Sequence, residues 1–175
     1  MKQGPLFSIA RWIGLIFGGV FTGFLVCVLV LETSLRDYDA KVYAQVRQVE
    51  LDSLDTLASA TLIPTIIATA ILVFGAWKAK GKDLYLPLAA LALLLLILIL
   101  TIVVNLPINA DQKDWTVTSP PSDWADVRDK WQTSHAVRTV ASLVAFGLLA
   151  FSAITHRVTG TASAAPAPAP LSTRS

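Results

Sequence analysis

The segment 91–104 reads LALLLLILILTIVV, and a water-soluble domain has almost no place to put it. A helix that is apolar all the way round must be enclosed on every side by protein or by lipid. A chain of 175 residues has too little other sequence to enclose it. The hydrocarbon core of a bilayer, roughly 30 Å thick, is crossed by about 20 apolar helical residues. Four uncharged runs reach or approach that length: Trp12–Leu31, Thr56–Trp77, Leu84–Ala110 and Thr139–Thr155. Helices are required, because the runs lack the alternation of a membrane barrel. The expected fold is all-α, an integral membrane four-helix bundle of up-down-up-down topology. Its spans are placed at about 12–31, 56–77, 84–104 and 136–155 within a domain covering 1–158. Residues 159–175, with APAPAPAP at their centre, read as a disordered Pro/Ala-rich tail.

Charge supplies the orientation. The chain has 14 Lys and Arg against 12 Asp and Glu. The basic residues divide evenly between the two sides. Those in short segments, including the K-A-K-G-K stretch at 78–82, have Asp83 as their only acidic neighbour. Placing these segments inside satisfies the positive-inside rule and puts both termini in the cytoplasm of a multi-pass cell-membrane protein. A formal charge of +2 and the lack of any basic run with interleaved aromatics argue against nucleic acid as a partner. The single cysteine, Cys27, allows no intrachain disulfide and reads as a buried thiol inside the first span.

The outer segments carry more pattern. Tyr38, Val42, Val46 and Val49 recur at helical spacing, which predicts a short amphipathic helix over about 37–55 lying on, or continuing from, the first span. Glu32 and Arg36, four residues apart, suggest an ion pair. Glu50, Asp52 and Asp55 read mostly as solvated. TVTSPPS at 116–122 is a loop, and Ser122 or Asp123 caps a long fourth helix that nothing interrupts until about Thr155, so that its first half is expected to extend outside the bilayer or slope through the headgroups. Gly14, Gly18, Gly19 and Gly23 form overlapping G-x-x-x-G spacings that let another backbone come close, within the bundle in preference to a second copy.

Two motifs stand near the outer boundary. Asn105-Leu106-Pro107-Ile108-Asn109 ends the third run, and Pro107 is expected to fray the helix there. Arg128, Trp131, His135, Arg138 and Ser142 follow at spacings of three, four, three and four, one stripe of the last helix. Ionisable groups at that depth usually face a bundle interior or a wet cavity. A snorkelling arginine, an interfacial tryptophan and a histidine capping a carbonyl would explain each residue singly. Aligned opposite an Asn-Pro-Asn segment, they form a candidate site.

The combination of N-L-P-I-N with W-x-x-x-H-x-x-R at Trp131, His135 and Arg138 resembles the anthrone-oxygenase-like family, a group of four-span membrane proteins. The resemblance runs from the Gly-rich first span to the fourth helix. It implies Asn105, Pro107, Asn109, Trp131, His135 and Arg138 as signature positions. The activity it implies is oxidation of an anthrone to an anthraquinone by molecular oxygen, with no metal and no other cofactor. In that chemistry His135 is the expected base and Arg138, with Asn105 and Asn109, the expected oxyanion donors. Trp131 would stack on a flat apolar or aromatic ligand arriving from the lipid bilayer, with Arg128 also at the substrate. Two alternatives stand beside this one. A non-catalytic scaffold or small-ligand-binding protein would have Asn109, His135 and Arg138 bonded together with no cavity between them. A transporter would need mid-membrane ionisable residues, which these runs lack.

Overall fold

The computed structural model describes residues 4–80 and 84–162, with side chains to residue 155. It is all-helical among those residues. Helix α1 spans Pro5–Ser34 and is followed by a 3₁₀ turn, Leu35–Asp37. Helix α2 covers Ala40–Lys78, α3 Tyr85–Leu100, α4 Leu106–Lys113 and α5 Trp124–Ala162; a π-helical segment, Thr101–Asn105, joins α3 to α4. Four helical stretches are long and apolar enough to cross a membrane: Pro5–Asp37, Ala40–Lys78, Tyr85–Lys113 and Trp124–Thr155. Only 22–33% of the most apolar window in each is buried within the bundle. Most of the apolar surface therefore faces outward, a stable arrangement only when the solvent is lipid. The last residues of the predicted tail lie outside the described residues, while 159–162 continue α5.

Packing follows the small residues. Helix α1 buries Ala10, Gly14, Gly18, Phe21, Leu25 and Val28 along one stripe, against α2 and α5. A Cβ added at Gly14 would meet Ala68 at 3.8 Å, and one at Gly18 would meet Thr65 at 3.3 Å. At Gly19 the neighbour is Phe146 at 3.4 Å, whereas nothing lies within 4 Å of Gly23. Three of the four glycines thus serve contacts inside the bundle. The central core is Phe21, Leu25, Leu62, Ala90, Leu94, Ile97, Ala141, Ala145 and Leu149. Hydroxyls in this zone turn inward for partners: Thr61, Thr65 and Thr69 each donate to the carbonyl four residues back at 2.7 Å. Thr22 and Ser142 meet across α1 and α5 at 2.6 Å. No water is needed to satisfy them.

Several expectations are corrected. Residues 40–55 form no separate helix; they are the first turns of α2, capped by Asp39, which accepts from the backbone of Lys41 and Val42. At 39 residues and 1.5 Å each, α2 is about 58 Å long, nearly twice a hydrocarbon core. The amphipathic reading of this stretch is also inverted: Tyr38, Val42 and Val49 are exposed, while Tyr43, Ala44, Arg47, Glu50 and Leu51 are buried. Pro107 does not fray the third helix. Leu106 keeps helical dihedrals, and its N–H reaches back to the Thr101 carbonyl across a widened turn. The extra residue shifts the ladder ahead of Pro107, which then occupies the first turn of α4, where an absent N–H costs little. Cys27 is exposed on the outer surface of the bundle.

At the end of the bundle that holds the Asn-Pro-Asn segment, Leu35, Tyr43, Ala44 and Trp115 form a second cluster, with Trp124 and Val127 against it. Tyr43 lies 6.4 Å from the Trp115 ring and 5.6 Å from Trp124. This aromatic roof closes one end of the bundle over the polar groups below it.

The glycine contacts predict a contrast. Gly18→Leu should push α1 from α2 and lower stability by about 1–3 kcal/mol, the usual cost of overpacking, while Gly23→Leu should leave it near the parent value. Thermal unfolding in detergent measures both. Equal losses at the two positions would mean that α1 does not pack through this face.

Candidate active site

The site is assembled from charge that α2 carries inward. Tyr43, Arg47 and Glu50 fall at spacings of four and three, so they share one face of the helix. Arg47 is 2% exposed, and each of its three nitrogens meets an acceptor. Nε and Nη2 donate to Gln112 Oε1 at 3.0 and 2.9 Å. Nη2 also donates to Asn109 Oδ1 at 3.0 Å. Nη1 serves Glu50 Oε2 and pairs with Glu32 Oε1 at 3.1 Å. Its Cζ lies 4.1 Å from the centroid of Trp131. One guanidinium thus ties α1, α4 and α5 to α2.

Around it the acceptors are themselves held. Trp131 Nε1 donates to Asn109 Oδ1 at 2.7 Å, and Asn109 Nδ2 donates to Asp55 at 3.2 Å. Gln112 Nε2 donates to the Tyr43 hydroxyl at 3.2 Å. Gln132 Nε2 donates to the Glu32 carbonyl and to Glu32 Oε2, at 2.6 and 3.0 Å. Asn105, Asn109 and Gln112 are spaced by four and three and are all buried, one polar face carried through the widened turn.

The α5 stripe is as regular as its spacing implies. Trp131, His135, Arg138 and Ser142 are buried together. The His135 ring stacks on Trp131, with centroids 4.8 Å apart and planes 7° from parallel. Its Nε2 lies 3.0 Å from the Leu25 carbonyl and its Nδ1 3.3 Å from Arg138 Nη2. A carbonyl can only accept and a guanidinium can only donate. The ring is therefore neutral, with its proton on Nε2 and its Nδ1 lone pair occupied by Arg138.

Between these groups is a cavity of about 170 Å³. Its polar wall holds Arg47, Glu50, Asp55, Asn109, Trp131, His135 and Arg138, and its apolar wall includes Phe21, Val28 and Leu62. Ile63 of α2, Ile102 of the π segment and Leu106 of α4 also line it and are 52%, 53% and 45% exposed. The mouth consequently opens sideways, between α2 and the α3–α4 stretch, through apolar residues. A cavity of about 150 Å³ accommodates a benzene ring, so this one takes a small flat molecule or one end of a larger one. Two buried atoms of the polar wall have no hydrogen-bond partner, Glu50 Oε1 and Arg138 Nε. Glu50 stands six residues before the apolar run that begins at Thr56. Burial foremost, and the Glu32 charge after it, raise its pKa to about 7 against the opposing pull of Arg47.

Of the residues expected at the site, Asn109, Trp131, His135 and Arg138 meet around the cavity. Asn105 is buried beside it, accepting from Ser134 at 2.7 Å, and does not line it. Arg128 lies elsewhere, bonded to Asp129 at 3.0 Å and 4.9 Å from the Trp124 ring centroid. Glu32 pairs with Arg47 in place of Arg36, which instead bonds Gln132 at 2.6 Å and Asp129 at 3.1 Å. Glu50, expected in solvent, is 6% exposed. Arg47, Glu50 and Gln112 were missed. The Tyr43–Arg47–Glu50 spacing was their signal, hidden by the more obvious valine stripe.

A family model described as Anthrone oxygenase matches residues 56–148, just over half of the chain. The matched stretch holds Asn105, Asn109, Trp131, His135 and Arg138, while Glu32, Arg47 and Glu50 precede it. Neither the curated proteins nor the solved structures contain a match.

The cluster predicts how mutations rank. Arg47→Met strands two buried carboxylates and should cost about 3–5 kcal/mol, as breaking a buried pair does. Lys113→Ala removes a half-exposed partner of Asp55 and should cost under about 1 kcal/mol. Thermal unfolding in detergent compares them. Arg47→Met unfolding no earlier than Lys113→Ala would show that the cluster does not hold the helices together.

Proposed function

The chain belongs to the anthrone oxygenase family, and from that premise we propose that it oxidises a small aromatic ketone with molecular oxygen, without another cofactor. The substrate class is one whose CH₂ group is made acidic by a carbonyl and flanking rings. The observation that carries this reading is the cavity itself. Its apolar mouth suits a ligand dissolved in lipid, and its lining includes a buried guanidinium whose Nε has no hydrogen-bond partner. A rigid scaffold plugged by Asn109, His135 and Arg138 would leave no such space. We place the four spans up and down across the cell membrane, with the cavity toward the outer face and both termini in the cytoplasm.

The chemistry asked of the protein is limited. Overall, the CH₂ becomes a carbonyl and one oxygen molecule is consumed, its second atom leaving as water. Loss of one proton converts the ketone into an enolate, which is electron-rich enough to reduce oxygen directly. The barrier lies in creating that charge in a medium poor in water. Arg138 Nε–H is the donor for the developing oxyanion, and a preorganised donor is worth most where the dielectric is low. His135, held by Leu25 and stacked on Trp131, accepts from Nη2 and keeps the guanidinium turned toward the cavity. The Trp131–His135 stack offers a flat wall for the ligand's rings.

Oxygen uptake by the purified protein in lipid nanodiscs, with anthrone as the probe, tests the proposal. Protein-dependent uptake of one oxygen per anthraquinone formed is expected. Arg138→Met should lower kcat about 10²–10³-fold, the usual loss for a removed oxyanion donor. Uptake no faster than in empty nanodiscs would sink the oxygenase reading.

A further inference from the structure

We infer that Glu50 is the proton-accepting residue of this cavity. The inference rests on the oxygenase reading, and it assigns a residue that the family match does not cover. It follows from a census of lone pairs. The titratable groups in the wall are Arg47, Glu50, Asp55, His135 and Arg138. The two guanidinium groups only donate. His135 spends its Nε2 proton on the Leu25 carbonyl and its Nδ1 lone pair on Arg138. Asp55 accepts from Asn109 Nδ2 on one oxygen, and its carboxylate, 39% exposed, pairs with Lys113 across 3.6 Å on the other. Glu32 is not in the wall, and its oxygens face Arg47 and Gln132. Glu50 uses Oε2 for Arg47 and leaves Oε1 buried with no partner. Among the described titratable residues, that oxygen is the buried acceptor in the wall left to receive a substrate proton.

The surroundings suit the task. Glu32 from α1 and Glu50 share a single cation, Arg47, so one proton added to the pair cancels its net negative charge. Tyr43 and Asp55 stand on the same helix, His135 and Arg138 across the cavity on α5, and Asn109 and Gln112 on α4 are uncharged. A base is most effective when its pKa lies close to the working pH, and that of Glu50 is raised to about 7.

Each step balances. Ionised Glu50 removes a proton from the CH₂, leaving the enolate on Arg138. The enolate passes one electron to oxygen, and the resulting radical and superoxide combine at carbon as a peroxide anion. Glu50 returns its proton to give the hydroperoxide. It then removes the remaining C–H proton as the O–O bond breaks, the carbonyl forms and hydroxide departs. Hydroxide and that proton make the water, and Glu50 is again ionised.

The experiment uses the full chain in nanodiscs with anthrone as the probe and two readouts. In steady state, wild-type kcat/KM should rise with pH through about 7, since the protonated acid is inactive. Glu50→Gln should lower it about 10²–10⁴-fold, the range for a lost general base, and Glu50→Asp should recover part of that loss. Without substrate, infrared difference spectra should show a carboxylic-acid C=O band that disappears through the same pH range. The band should be absent in Glu50→Gln at every pH and retained in Glu32→Gln, where it disappears at lower pH because the Glu32 charge no longer raises the Glu50 pKa. Wild-type turnover by Glu50→Gln, or the band persisting in it, would overturn the assignment. If Glu50→Gln does not fold, loss of the band at every pH in Glu32→Gln overturns it and its survival there at lower pH supports it. A wild type that shows the band but consumes no oxygen sinks the oxygenase reading alone, leaving Glu50 as the cavity's titrating acid.

Discussion

The buried guanidinium of Arg47 is the interaction on which the rest of this structure depends. Moving a charge out of water costs several kcal/mol even after relaxation. That cost is tolerable only where the charge is paired and all its donors are met. Here its three nitrogens meet four side-chain oxygens, one each from Glu32 of α1, Glu50 of α2, and Asn109 and Gln112 of α4. The indole of Trp131 on α5 covers its face. Lipid tails are as apolar as leucine, so helices in a bilayer are not driven together by hydrophobicity. Satisfying a shared charge is a force that still operates there. The glycine contacts of α1 bring backbones close at one level of the bundle. The Arg47 network sets the register at the other.

Much of this was legible in the sequence because lipid is a demanding solvent. Uncharged runs of about 20 residues leave one structural choice, and each run overlaps a helical stretch long and apolar enough to cross a membrane. The stripe from Trp131 to Ser142 was readable for the same reason: polar side chains on one face of an otherwise apolar helix must point inward. Arg128, one turn earlier, escaped that logic. It sits where Asp129 and the Trp124 ring can reach it, so its spacing put it in line without putting it in the cavity.

The parts that could not be read share a cause. In the first turns of α2 the usual rule of amphipathicity reverses. Val42 and Val49 face outward while Arg47 and Glu50 face the interior, and periodicity alone does not say which stripe is inside. The Glu32–Arg36 spacing fits a helical pair, yet α1 passes into a 3₁₀ turn at Leu35, which changes the angle between the two side chains. Long-range partners such as Arg47 and Asn109, 62 positions apart, leave no local trace. The π segment is of this kind too. Pro107 signals a disturbance in the ladder, but whether the helix frays or widens depends on whether the freed groups are better met by water or by the bundle. With Asn105, Asn109 and Gln112 all engaged inside, widening wins.

These features converge on the cavity. The wide turn keeps Asn109 on the inner face, where it receives Trp131 and Arg47 together. Trp131 in turn stacks on His135, which holds Arg138 by its Nδ1. The polar wall is thus fixed through a chain of mutual contacts, and rigidity of that kind is what transition-state stabilisation requires. Two of the buried atoms left without hydrogen-bond partners, on Glu50 and Arg138, belong to residues of opposite charge type that line the same cavity. Orphaned polar atoms in a buried wall ordinarily cost stability. Here the cost falls on one acceptor and one donor, the pair of groups that a reaction passing from a neutral ketone to an enolate would need.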